Sequence, residues 1–317
     1  MRSVAQLPQV GVAGWSYPHW EGLVYPKVRR GAAHALETLS QVVDAVEINT
    51  SFYRPIRPEY SKLWTKLVDA NPNFVFTAKL HQNFTHGRKL DATEVKTFQD
   101  GLWPLRDAGR LGAVLMQFPW SFRYTSENRA QLLELRKAFR HFPLVAELRH
   151  ASWLGGEAQG TLIDARIGFC NIDQPQHTAA MPPTALLTSG VGYVRLHGRN
   201  PENSVAAYHA GAERQQQHDY LYSPEELAQW RLRIEKFRQF AERTIVIFNN
   251  DPKGKSVVNA LQLQNLYDPA RLAAPPALQQ QYKQMLPGFR HVALDPSPGR
   301  MAPAAAATAQ QSLFQAA

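Results

Sequence analysis

The sequence predicts an α/β protein, a single (β/α)8 TIM-like barrel with a disordered C-terminal tail. Three observations predict it: eight short apolar or β-branched runs, amphipathic segments between them, and a length of 317 residues. Barrels of this kind use about 250 residues as one domain. The barrel is assigned to residues 1–272 and an Ala/Pro/Gln-rich tail to 273–317. With 44% hydrophobic and 19% charged residues, the composition is that of a folding chain and not of a disordered one.

The runs, in order, are VGVAG (10–14), AVEIN (45–49), FVFTAKL (74–80), GAVLMQF (112–118), LVAELR (144–149), RIGFCNI (166–172), GYVRLHG (192–198) and TIVIFNN (244–250). Between them, PEYSKLWTKLVDA, ATEVKTFQDGLWPLRDAG, SENRAQLLELRKAF and SPEELAQWRLRIEKFRQFAE repeat apolar residues at three- and four-residue spacing, the period of a helix lying on a core. Ser126 before Glu127, and Ser223 with Pro224 and Glu226, are helix-start signals, the second a capping-box pattern. The stretch from Arg199 to Tyr222 is a long loop after strand seven, read as a lid or an insertion, and Gln215, Gln216 and Gln217 favour mobility in it. From Ala273 periodicity is lost, and MAPAAAATAQQSLFQAA offers no packing face.

The N-terminal MRSVAQLPQV lacks a secretory apolar core, and no segment approaches 18 uninterrupted apolar residues, so neither export nor a membrane anchor is expected. The lone Cys170, in IGFCNI, excludes an intrachain disulfide and reads as a buried thiol; a cytoplasmic location is expected. The net charge of +9 is dispersed, which permits anionic partners, DNA among them, without the Lys/Arg run of a nucleic-acid arm. H-E-x-x-H, Cys-x-x-Cys and Gly-x-Gly-x-x-Gly patterns are missing, so zincin, zinc-ribbon and dinucleotide readings fall away.

Alternation along the strands locates the chemistry. The outward face of a barrel strand lies under helices and is apolar, so polar residues in the opposite phase point inward. Val46 and Ile48 outward put Glu47 and Asn49 inside; Ala146 and Leu148 outward put Glu147 and Arg149 inside; Val194 and Leu196 outward put Arg195 and His197 inside. Lys79, Gln117 and Asn249 end strands three, four and eight in the same way. All lie near carboxyl ends, where barrel enzymes assemble their sites.

Two readings stand: a salt-bridged plug filling the barrel top, or a site for an anionic, phosphate-bearing substrate. In the second, Glu47, Glu147 and His197 move protons and Lys79, Arg149 and Arg195 hold the anion, with Trp15, His150 and Asn250 also near the strand ends. After strand eight, the amides of Gly254, Lys255 and Ser256 could hold phosphate at a helix start, or form a plain surface turn. No P-loop is complete, because its first glycine is replaced by Asn249. No cofactor and no metal are assigned; Glu47, Glu147, Asp173 and His197 are the donors from which a divalent site would be built, in competition with Arg149 and Arg195. Trp15, Tyr17, Trp20, Tyr53, Trp120 and Trp153 follow strands one, two, four and five, as a stacking rim or as packing for loops.

The ordered series GWSYPHW, VEINTSFYR, FTAKL, LMQFPWSF, ELRHASW, YVRLHGR, YLYSPEEL and IFNND resembles the domain-of-unknown-function-72 (YecE-like) family over roughly residues 9–265. The resemblance implies a TIM-barrel-like fold and carries no activity with it. In the tail, Gln310, Gln311, Ser312, Leu313 and Phe314 resemble the bacterial sliding-clamp-binding peptide, departing from it at Gln311; Gln310, Leu313 and Phe314 would dock on the clamp. The leading reading is thus a hydrolase or lyase acting on a phosphorylated substrate, DNA-associated through the clamp. Its rivals are a non-catalytic nucleic-acid or clamp adaptor and a sugar-phosphate isomerase or lyase.

Overall fold

Eight parallel strands pair in sequence order and close on themselves, β1 (Gln9–Ala13), β2 (Ala45–Ile48), β3 (Val75–Lys79), β4 (Leu111–Gln117), β5 (Leu144–Glu147), β6 (Gly168–Asp173), β7 (Val191–Leu196) and β8 (Arg243–Phe248). The structure, a computed structural model, describes residues 6–27, 34–200 and 218–291. Closure is made by β1, whose Ala13 lies opposite Glu47 on one side and whose Val12 lies opposite Phe248 on the other. Gly11 permits that junction, since a Cβ there would stand 1.7 Å from the carbonyl oxygen of Ala45. Each expected strand is present, with ends shifted by one or two residues.

Helices cover the outside, and their sequences explain their limits. In Pro224–Arg238, the Ser223 hydroxyl accepts from the Glu226 amide while Glu226 accepts from the Ser223 amide; Leu227, Trp230, Ile234 and Phe237 then form the buried stripe. The helix Ser126–Ala138 is capped one residue earlier than expected: Thr125, in extended conformation, accepts from the Asn128 amide, leaving Ser126 as the first helical residue. Pro58–Leu67 and Ala92–Asp107 form as their periodicity predicts.

The expected boundary at residue 272 is corrected. Residues 273 to 291 are folded against the barrel: Ala273–Ala274 pairs with Arg290–His291 around the helix Pro276–Gln281, and Leu278, Leu286 and Phe289 are buried. Three scattered anchors on one short helix and two turns show no period, which is why the pattern was unreadable. Each buried side chain of this kind is worth about 1.5–3 kcal/mol, so a chain ending at Leu272 should lose several kcal/mol, read as a lower urea midpoint. An unchanged midpoint would mean that the segment is a passenger. The clamp-like residues Gln310, Leu313 and Phe314, most of the long loop after β7, and the Gln215–Gln217 run lie outside the described residues. No described helix is long and apolar enough to cross a membrane.

Candidate active site at the barrel mouth

Arg195, at the end of β7, is fully buried and joins two glutamates that are themselves fully buried. Its Nη2 donates to Glu47 Oε1 at 2.7 Å and its Nη1 to Glu147 Oε2. Burying three ionised groups is expensive unless they neutralise one another in good geometry, and here β2, β5 and β7 bring them together across the barrel axis. Beneath them, the Tyr193 hydroxyl donates to Glu47 Oε2 at 3.2 Å and lies 2.9 Å from Thr77 Oγ1. Tyr193 shares the inward phase of Arg195, and that alternation was the signal by which it could have been found.

Around this buried pad stand groups with some access to solvent. Arg149 grips Glu147 Oε1 through Nε at 2.8 Å and Nη2 at 2.7 Å, and its side chain is 31% exposed. Lys79 Nζ stands 3.6 Å from Glu47 Oε1, with its side chain 13% exposed. Gln117 Oε1 is 3.4 Å from Arg195 Nη1, and Asn49 lies 3.4 Å from the Tyr17 hydroxyl. Asn249 Nδ2 is 3.1 Å from His197 Nδ1, while His197 Nε2 is 3.4 Å from Glu147 Oε1. Arg195 Nη1 also lies 3.4 Å from Nε2; with the Asn249 amide donating to Nδ1, a neutral His197 carries its proton on Nε2, on the side of Glu147.

The electrostatics follow from this packing. Burial alone would raise the pKa of Glu147, but Arg195, Arg149 and His197 overcome it and hold the carboxyl well below its usual range. Burial, with Arg195 beside it, lowers the Lys79 ammonium to about 8 against the pull of Glu47 and Glu147. Burial outweighs Glu147 at His197 and lowers it to about 3. His197 should therefore stay neutral, and its ring 15N shifts should be flat from pH 5 to 8; a titration midpoint near the ordinary 6.5 would contradict the arrangement.

Several expected site residues are not brought to the mouth. Asn250 is fully buried and binds the Tyr220 carbonyl and Asn259 Oδ1, holding the stem of the long loop to the helix Lys255–Tyr267. His150 caps the short turn at Ser152 and packs on Trp120, with ring centroids 5.2 Å apart. Trp15 meets Trp64 of the helix Pro58–Leu67 edge-on at 5.1 Å. Lys255 pairs with Asp219, Ser256 is fully buried, and Gly254, with φ at +74°, is hemmed by Leu278 and Val24.

The aromatic residues mainly brace loops: Trp20 Nε1 donates to the Asp251 carbonyl and Trp153 Nε1 to that of Phe122. Asp173, a candidate metal donor, faces outward and accepts from Trp230 Nε1 at 2.7 Å and from Arg199. Among the described residues no group of three His, Cys, Asp or Glu is placed to hold a metal ion.

One residue at the mouth had no sequence signal, because it sits in an aperiodic loop. His218 lies against His197, with ring centroids 6.4 Å apart, and burial lowers it to about 4. Its position is set by Tyr222, whose buried hydroxyl lies 2.8 Å from the Gly198 amide and whose own amide donates to Asn259. A cavity of about 490 Å³ lined by His19, Lys27, Lys253 and Gln281 opens beside the mouth instead of in it. Its lining is solvated surface chains, and the buried charges make the mouth the stronger candidate.

The comparisons with known proteins agree with this architecture. The family described as "Protein of unknown function DUF72" matches residues 9–282. The UPF0759 protein YunF of Bacillus subtilis (strain 168) is 26% identical over 271 residues, 82% of this chain and 94% of YunF. The crystal structure of a DUF72 family protein from Thermotoga maritima MSB8 aligns with a TM-score of 0.72 at 29% identity, covering 83% of this chain and all of that one. Another, from Enterococcus faecalis V583, aligns at 0.71 and 27% identity, covering 82% and 95% of the two chains. Strand order, closed barrel and a match over most of the chain lead to one conclusion: this protein belongs to the DUF72 (UPF0759) family.

Proposed function

We propose that the barrel mouth is the active site of an enzyme, a hydrolase or lyase, acting on a small phosphate-bearing substrate. The observation that carries this reading is the charge balance of the pad. Glu47 and Glu147 supply two negative charges; Arg195, Arg149 and protonated Lys79 supply three positive ones. One positive charge is left on the side of the pad where Lys79 and Arg149 reach solvent, where an anionic group would neutralise it. The roles differ from those the sequence indicated: Arg195 is a buried strut between the glutamates, and the glutamates anchor cations in place of moving protons. Arg149 is the anion holder, since a partly exposed guanidinium offers paired donors to phosphate. Lys79 is the reactive group.

Calorimetric titration with glycerol 3-phosphate tests the binding half. Losing a charged hydrogen bond costs about 1.5–3 kcal/mol, so Arg149→Met should weaken binding roughly 10- to 100-fold. Equal affinity in the variant would sink the assignment. If the ligand were instead a nucleic-acid backbone, affinity would fall steeply with salt as counterions are released.

A further inference from the structure

We propose that Lys79 is a nucleophile that forms an imine with its substrate, so that the substrate is a small aldehyde or ketone carrying an anionic group. This rests on the reading of the mouth as an active site and adds the class of reacting atom. Both oxygens of Glu147 are taken by guanidinium groups, Glu47 is bound by Arg195 and Tyr193, and the nitrogens of His197 face Asn249 and Glu147. The Lys79 amine is different. Its nearest charged partner is at 3.6 Å, longer than a hydrogen bond, and the side chain is partly open to solvent.

Its backbone is held, because the Ser51 hydroxyl donates to the Lys79 carbonyl at 2.8 Å. Such an amine sits at a fixed place on the carboxyl end of a barrel strand while its tip stays available. Glu47, Glu147, Arg195 and Arg149 are the charged groups that face it. With half-protonation at about 8 instead of 10.5, the free-amine fraction at pH 7.5 is on the order of 100-fold that of an ordinary lysine.

The chemistry balances without another reactant. The Nζ lone pair attacks the carbonyl carbon and forms a carbon–nitrogen bond. The carbon–oxygen bond then breaks, and the oxygen leaves as water with the two amine hydrogens. A proton from solvent gives the iminium ion, whose charge stands where the ammonium stood, beside Glu47. Arg149 would take the anionic group of the same molecule.

The test is to incubate the intact protein with glyceraldehyde 3-phosphate and sodium cyanoborohydride at pH 7.5, then map reduced adducts by peptide mass spectrometry. Lys79 should be modified at least about tenfold faster than the exposed Lys62 and Lys66. Lys79→Arg, shown to be folded by circular dichroism, should lose that adduct and keep the surface ones. Adducts spread over surface lysines with no excess at Lys79 would overturn the proposal. Glycerol 3-phosphate, which has no carbonyl, separates the two readings: binding without a Lys79 adduct removes the imine and leaves the active site standing, and neither binding nor adduct removes both.

Discussion

Arg195→Met should destabilise the protein by about 3–5 kcal/mol, the cost of leaving buried carboxylates without their partner. The two glutamates it joins are fully buried, and methionine fills much of the side-chain volume, so the loss reports charge more than a cavity. The pH dependence gives the sign. Glu147 is held well below its unfolded value, so in the native protein it contributes stability that is present above that value and lost as pH falls through the folded one. In Arg195→Met this support largely goes, and the variant's deficit against wild type should narrow on acidification as the stranded carboxylates take up protons. Adding Glu47→Gln and Glu147→Gln should recover part of the loss at neutral pH. Urea denaturation at pH 7 and pH 4.5 measures all of this; a deficit below 1 kcal/mol at pH 7 would show that water, and not Arg195, solvates the glutamates.

Lys79→Met should do the opposite to stability and abolish function. The folded-state value of Lys79 is about 8 against 10.5 when unperturbed, so between these values the unfolded chain holds a proton that the folded one has released. Stability from this group therefore rises with pH across that window, and below it the buried ammonium costs the fold on the order of 1–3 kcal/mol. Removing the amine should raise the unfolding midpoint at pH 7 and flatten the rise between pH 8 and 10.5, while turnover falls by about 100-fold or more. A variant with unchanged stability and unchanged turnover would place the chemistry elsewhere.

The strands and most helices were legible because each is a local pattern. Thr125 replaced Ser126 as the cap because two adjacent hydroxyl residues satisfy the same rule and only backbone conformation selects between them. The segment 273–291 escaped notice because three buried anchors spread over short turns have no period. His218 escaped because its place depends on the Tyr222 anchor, whose partners Gly198 and Asn259 lie far from it in sequence.

At the site itself, alternation was enough to point Glu47, Glu147, Arg149, Arg195 and His197 into the barrel, since a strand has two faces and the apolar one must lie under helices. Alternation is silent on which inward groups consume one another. That Arg195 is spent between two glutamates while Lys79 keeps an available amine depends on the stagger of β2, β3, β5 and β7, strands separated by up to about 150 residues. Asp173 and Asn250 turned away from the mouth for the same reason: their partners, Trp230 and Asn259, are on helices whose placement over the strands is a property of the closed barrel.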